Sequence, residues 1–407
     1  MTIERRYAAV RRFTEELCSD LETEDYCVQT MPDVSPTKWH LAHTTWFFET
    51  FVLRPHVPRW RTEPHWDVLF NSYYQAVGEP WDRPRRGLLS RPTVAEIYAY
   101  RERVDDAMTR FMSELDDETL AVVELGIQHE QQHQELLLTD IKHVFAANPL
   151  RPIFRASAAS TSGGTARSAR WQRYEEGVRQ IGYDGDSFAY DNEGPRHRHL
   201  LLAFEIADRL VTAGEWLEFI TDGGYETPSL WLSAGWDTVE RERWNSPLYW
   251  ERPDDEWWEM TLGGMRKVDR DAPVAHVSFY EADAFATWAG ARLPTEFEWE
   301  VAAAESSIAS GNFVESGRLH PRVAADAADD QFFGDLWEWT RSDYAPYPGF
   351  RAADGALGEY NGKFMSGQYV LRGGSCATSA THIRPTYRNF FAPHARWQFC
   401  GVRLAKA

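Results

Sequence analysis

The stretch GIQHEQQHQELLL, residues 126–138, spends two of its thirteen places on His129 and His133 within a segment whose apolar spacing predicts a helix. Residues i and i+4 of a helix lie on one face a turn apart, so the two rings can converge on one point. That geometry suits a metal ion, although each ring taken singly is also compatible with an ordinary buried histidine and its hydrogen-bond partner. A second predicted helix carries WHLAHTTWF, residues 39–47, with His40 and His43 three apart among Trp39, Leu41, Trp46 and Phe47. Facing helices of a bundle are a common place to build a metal site. No cysteine lies nearby to offer a thiolate, so a site of three imidazoles favours iron, copper or zinc with coordination positions left open. The residues alone leave open which of His40 and His43 points inward.

The elements that must hold these rings are helical almost throughout residues 3–146. IERRYAAVRRFTEELCSDLE places apolar residues three and four apart. SPTKWHLAHTTWFFETFVL opens with Ser35 as an N-cap and Pro36 at the first helical position, and RPTVAEIYAYRERVDDAMTRFMSEL opens in the same way around Thr93. ETLAVVELGIQHEQQHQELLLTDIKHVFAA gives a fourth long helix, so a bundle is expected. Between the second and third helices, FNSYYQAVGEPWDRPRRGLLSRP is far longer than a bundle connection needs, which predicts a functional loop. ASAASTSGGTARSA, residues 156–169, reads as a linker. The expected organisation is a helical domain over 1–155, a linker over 156–177 and a second domain over 178–407. That second domain reads as α+β, with short strands, tryptophan-rich loops and helices expected only near 212–222 and 279–290.

With 407 residues the chain suits two or three domains, and 43% hydrophobic residues with 18 tryptophans predict folded cores rather than disorder. A formal charge of −19, without a basic cluster, argues against a nucleic-acid partner. No run of eighteen apolar residues and no signal-peptide pattern in MTIERRYAAVRRFTEELCSD predict a soluble, cytoplasmic protein without a membrane partner. Cys18, Cys27, Cys376 and Cys400 form no CxxC pair, which fits thiols in a reducing compartment.

Taken together, SPTKWHLAHTTWFFETF, HEQQHQELLLTDIKH, FAYDNEGPRHRHLL, ARLPTEFEWE, GDLWEWT, EYNGKFMSGQYVLRGGSC and YRNFFAPHARWQFCGVRLA resemble the EgtB family of ergothioneine-biosynthetic sulfoxide synthases over nearly the whole chain. The resemblance implies an all-α DinB-like four-helix bundle followed by an α+β domain of the formylglycine-generating-enzyme and C-type-lectin kind. It implies iron(II) as cofactor, with hercynine (N-alpha-trimethylhistidine), cysteine and O2 as substrates of an oxidative C–S bond formation that yields a sulfoxide. The iron ligands it implies are His43, His129 and His133, with His40 the non-ligand of its pair. Gln132 would hydrogen-bond the substrate imidazole, and the NSYYQ segment would supply a proton-donating phenol from Tyr73 or Tyr74. Arg83 and Arg86 match the family's arginines for the thiol's carboxylate better than Arg91. Asn389, Phe390 and Phe391 match the segment that receives the trimethylammonium group. Some members carry a carboxylate where this chain has Phe391, which favours cation–π contact over ion pairing here.

The RLPTEFEWE and GDLWEWT motifs read as packing and turn signatures, and Cys376 and Cys400 stand too far apart to match the catalytic cysteine pair of formylglycine-generating enzymes. Three rivals stay in view. An ovothiol-type synthase would take histidine and usually carries a fused methyltransferase, whereas this sequence runs only to Ala407. An EgtB using gamma-glutamylcysteine differs only in the thiol, and the WHLAHTTWF and YNGKFM patterns look like the branch that takes free cysteine. A non-catalytic metal- or sugar-binding module is the third. A homo-oligomer is left open.

Overall fold

The computed structural model describes every residue except 73, 75–76, 159–163, 327–329, 353–357 and 359–360. The chain forms two compact units, the first built on Met1–Phe154 and the second on Arg155–Ala352 with Asn361–Ala407. In the first unit, α1 (Ile3–Cys18) turns Tyr7, Arg11, Thr14, Leu17 and Cys18 inward at three- and four-residue spacing. Helix α2 (Thr37–Phe48) is buried at all twelve positions and runs on into a π-helical turn, Glu49–Leu53. Helix α3 (Val94–Phe111) starts at a reciprocal cap: Glu96 N–H donates to Thr93 Oγ1 at 3.2 Å and Thr93 N–H donates to Glu96 Oε2 at 2.7 Å. Helix α4 (Asp117–Ala147) is capped by the Asp116 carboxylate and runs 31 residues.

Two devices draw the neighbouring helices onto α4. A Cβ on Gly126 would lie 2.5 Å from the Phe48 ring, so only glycine permits this approach, three residues before His129. The Glu130 carboxylate, fully buried, accepts from Arg11 Nη1 at 2.8 Å, Arg101 Nη2 at 2.5 Å and Thr14 Oγ1 at 2.6 Å, tying α1 and α3 to α4. Burial pushes the Glu130 carboxyl up, but the two guanidiniums outweigh it and hold it down at about 2. One expectation from the sequence fails at this junction. Ser35 does not cap α2, whose N-cap is Pro36 without a side-chain bond. Its N–H instead donates to Asp140 and its hydroxyl accepts from Arg86, tertiary partners that outcompete the local cap.

The second unit is a set of short sheets with helices against them. Strands β1 (Trp171–Tyr174), β4 (Phe204–Ala207) and β12 (Ala405–Lys406) form one antiparallel sheet, and β2 (Gly177–Ile181) pairs with β3 (His197–Leu201). Strands β5 (Trp250–Glu251), β6 (Trp258–Thr261) and β7 (Gly264–Lys267) form a meander. The fourth sheet runs β10 (Asn389–Phe391), β9 (Tyr369–Arg372), β8 (Trp337–Asp343) and β11 (Cys400–Gly401), with only the β8–β11 pair parallel.

Helices α5 (Ala213–Thr221) and α7 (Phe279–Trp288) stand where the sequence predicts them, but α6 (Ser233–Glu242) and α8 (Glu296–Ala303) do not appear in that reading. The start of α8 was legible. Thr295 and Glu298 make a reciprocal cap inside the very motif read as a turn. The motif does serve packing: Glu296, Glu298 and Glu300 are buried, and Arg388 clamps Glu296 through two bonds of 2.8 and 3.0 Å. In GDLWEWT, the buried Glu338 takes two bonds from Arg403, of 2.6 and 2.9 Å. Among the described residues no disulfide forms, and burial raises the Cys400 thiol to about 12, beyond the range of a reactive thiolate. No helix among the described residues is long and apolar enough to cross a membrane.

Candidate metal centre

The close approach of α2 and α4 brings His43, His129 and His133 together: one nitrogen of each lies within 4.8 Å of the others. All three are buried, His43 completely. His43 donates from Nδ1 to the Phe70 carbonyl at 2.5 Å, leaving Nε2 to face His129 Nε2 at 3.2 Å. The Phe70 carbonyl comes from a short helix, Trp66–Phe70, at the mouth of the long loop, so that loop orients the His43 ring. Trp39 stacks on His43 with centroids 4.5 Å apart and planes 13° apart, and Trp46 stacks at 5.9 Å.

Burial lowers the basicity of all three rings, with neighbouring imidazoles adding to it; His129 falls to about 3 although Glu130 opposes the shift. Each is therefore neutral near pH 7, the form that offers a lone pair to a cation. Three neutral nitrogens of this kind, drawn from two helices, can hold a metal ion. The set fits iron(II), copper or zinc by donor type, and its three members leave room for further ligands. His40 is set apart from the three: its Nδ1 lies 2.9 Å from His133 Nδ1 and its Nε2 3.0 Å from Asp140 Oδ2.

The other residues singled out by the sequence fall into distinct places. Tyr74 is buried against Phe51, with ring centroids 5.1 Å apart, and against Trp46 and Phe47; Phe47 in turn lies 5.0 Å from His129. Tyr73 lies outside the described residues. Gln132 is half-buried on α4 beside His133. Arg86 and Arg83, paired by the sequence reading, part company. Arg86 is buried, its guanidinium 3.3 Å above the Trp39 ring and bonded to the Ser35 and Ser72 hydroxyls at 2.9 and 3.2 Å. Arg83 is exposed and donates to the Asp33 carbonyl, and Arg91 is exposed as well.

No carboxylate among the described residues lies within ion-pair distance of Arg86, and burial lowers its basicity well below the usual arginine range. It lines a narrow cleft with Lys38, Trp39, Phe70 and Leu89. The Lys38 ammonium, also buried, donates to the Pro92 carbonyl at 3.2 Å.

In the second unit, Asn389, Phe390 and Phe391 form β10 and are half-buried. Phe390 stacks on Tyr344 at 4.1 Å and 11°, with Phe364 at 5.8 Å, and Phe391 meets the edge of Trp397 at 5.7 Å. Asn389 turns its carbonyl oxygen back to accept from the Phe390 N–H at 2.9 Å. Asp140, the Phe70 carbonyl and Tyr344 have no place in the sequence reading. Asp140 alone left a signal there, as an acid seven residues after His133 on the same face of α4.

Comparison with known proteins adds two family matches. Residues 6–137 match the DinB superfamily, and residues 172–329 and 330–407 match the sulfatase-modifying factor enzyme 1-like domain. A hercynine oxygenase of Mycobacterium tuberculosis is 31% identical over 95% of this chain and 94% of its own length. A hercynine oxygenase of Mycolicibacterium thermoresistibile is 32% identical over 95% and 90%. Ergothioneine biosynthesis protein 1 of Schizosaccharomyces pombe is 29% identical over 54% of this chain and 28% of its own length.

Proposed function

The chain belongs to the hercynine oxygenase family, an oxygen-dependent oxidoreductase family, and from that premise we propose that it joins cysteine to the imidazole ring of hercynine, with iron(II) and O2, to give hercynylcysteine sulfoxide in ergothioneine biosynthesis. The observation that carries the reading is the cluster of three buried, neutral imidazoles within 4.8 Å of one another. The net reaction breaks one C–H and one S–H bond and forms a C–S bond, with one oxygen atom of O2 on sulfur and the other in water. Iron(II) held by His43, His129 and His133 would supply the O2 activation and electron transfer that this change needs.

The chain's own residues bind and orient. Arg86, with no carboxylate among the described residues within ion-pair distance, takes the carboxylate of the thiol substrate, with Arg83 at the outer side of the same loop. Gln132 hydrogen-bonds the substrate imidazole. Tyr73 or Tyr74 donates the proton that oxygen chemistry requires. Asn389, Phe390 and Phe391 receive the trimethylammonium group, the rings through their faces.

The test is O2 uptake by iron(II)-loaded protein with hercynine or histidine, each combined with cysteine or gamma-glutamylcysteine, and product identification by mass spectrometry. A sulfoxide formed from hercynine and cysteine, and lost in His129→Ala, is the expected result. Preference for histidine would replace the reading with the ovothiol-type reaction, and preference for gamma-glutamylcysteine would correct the thiol. Absence of uptake in all four combinations would overturn the oxidative chemistry.

A further inference from the structure

We infer that Asp140 and His40 act as a positioning pair that fixes the tautomer of His133 and so presents its Nε2 to the metal. The inference rests on the reading of His43, His129 and His133 as ligands and extends it to two side chains that the reaction does not otherwise use.

The argument begins at Asp140, which is buried and has one ion-pair partner among the described residues, the His40 ring. A buried carboxylate needs donors. Its Oδ2 receives the Ser35 backbone N–H at 2.8 Å, a group that can only donate, and His40 Nε2 stands 3.0 Å from the same oxygen. An oxygen serving as acceptor for one neighbour calls for a proton on the other, so His40 carries its hydrogen on Nε2. An imidazole with its one hydrogen on Nε2 offers a lone pair at Nδ1. His133 Nδ1, at 2.9 Å, must supply the hydrogen for that contact. With its proton committed to Nδ1, His133 is left with its lone pair on Nε2.

His43 reaches the same state by another route, donating from Nδ1 to the Phe70 carbonyl. Two of the three rings thus have Nδ1 held by a hydrogen bond, the arrangement that orients metal-bound histidines. Helix geometry explains why an intermediary is needed. Asp140 and His133 share a face of α4 but stand seven residues apart, about 10 Å along the axis at ~1.5 Å per residue. His40, projecting from α2, spans the gap.

The test uses the full-length protein stripped of metal. Wild type, His40→Phe, His40→Asn, Asp140→Leu and Asp140→Asn are titrated with Co(II), following the dissociation constant and the visible ligand-field bands, with folding checked by circular dichroism. His40→Phe and Asp140→Leu are expected to weaken Co(II) binding roughly 10- to 100-fold and to alter the bands. His40→Asn keeps an oxygen that can accept from His133 Nδ1, and Asp140→Asn keeps one for His40 Nε2, so both should recover most of the affinity.

Unchanged affinity and bands in His40→Phe and Asp140→Leu would reduce the pair to packing and overturn the inference. Loss of Co(II) binding in His40→Phe with retention in His133→Ala would make His40 itself the ligand, and overturn it too. If wild type fails to bind Co(II) one to one, the ligand reading falls and takes this inference with it. Nitrogen-15 NMR of histidine-labelled apo protein gives a check that needs no substitution: hydrogens on His40 Nε2 and His133 Nδ1 are expected, and the opposite tautomers would refute the relay.

Discussion

The two units differ in what some of their buried polar groups face. In the second unit, buried carboxylates face arginines through paired bonds, Glu338 with Arg403, Glu296 with Arg388 and Glu193 with Arg384, so each charge is answered inside the fold. In the first unit, Glu130 is answered in the same manner by Arg11 and Arg101. A few ångströms of chain away, three imidazoles face one another and, among the described residues, Arg86 has hydroxyls and an aromatic face for partners. Internal pairing makes a charge part of the scaffold. A buried group whose natural complement is a cation or an anion from outside marks a binding site, because its desolvation is offset only when that partner arrives.

Substitutions can break this contrast, and the largest effect is expected at the imidazoles. His129→Ala should reduce sulfoxide formation by roughly 10³-fold or more by removing a ligand to the ion that supplies the chemistry, while the urea midpoint of the apo protein changes little. Arg403→Leu should do the reverse. It leaves Glu338 buried without its cation, lowering stability by about 3–5 kcal/mol in urea unfolding, and the activity of the molecules that remain folded should stay near wild type. The double variant Glu338→Leu, Arg403→Leu should recover most of that loss.

A smaller effect is expected at Arg86. Its replacement by leucine removes a charged hydrogen bond to the substrate, worth about 1.5–3 kcal/mol, so KM for the thiol should rise roughly 10- to 150-fold. The kcat should change less and the apo protein should be at least as stable. A fall in stability instead would place Arg86 with the scaffold arginines.

The smallest is a pH effect in the second unit. Burial raises the Glu215 carboxyl, but Arg209 and the Thr212 cap outweigh it, leaving it below its ordinary value of 4.5. A carboxyl with a depressed folded value contributes stability above its unfolded value and loses it as pH falls through the folded one. Thermal unfolding of the wild type should therefore steepen its decline below pH ~4.5 relative to Glu215→Gln. Parallel curves would remove Glu215 from the set of answered charges.

Local signals proved readable where a single element decides the outcome. Thr93 and Glu96 cap α3 because both lie within one turn, and the periodicity of residues 3–18 survives as the buried face of α1. Ser35 shows where such signals stop: the same cap chemistry was outbid by Asp140 and Arg86, 105 and 51 residues away. Helix α6 was missed because ten residues of mixed polarity leave little pattern, and α8 because its cap lay inside a motif read for packing.

Arg83 and Arg86 show the same limit at the candidate site. Three residues apart in a basic loop, they differ in the sequence only by position, yet one is buried against Trp39 and the other exposed.

The sequence by itself determined the period of the helices, the i, i+4 placement of His129 and His133, and the family to which the chain belongs, because these depend on residue type and near spacing. The family resemblance implied His43; the tertiary structure brings its ring beside His129 and His133, and it alone shows that His40 bridges His133 to Asp140. It alone buried Arg86 where no carboxylate among the described residues lies within ion-pair distance. Such choices depend on which groups meet across helices, and hydrogen-bond partners about a hundred residues apart leave no local trace in the chain.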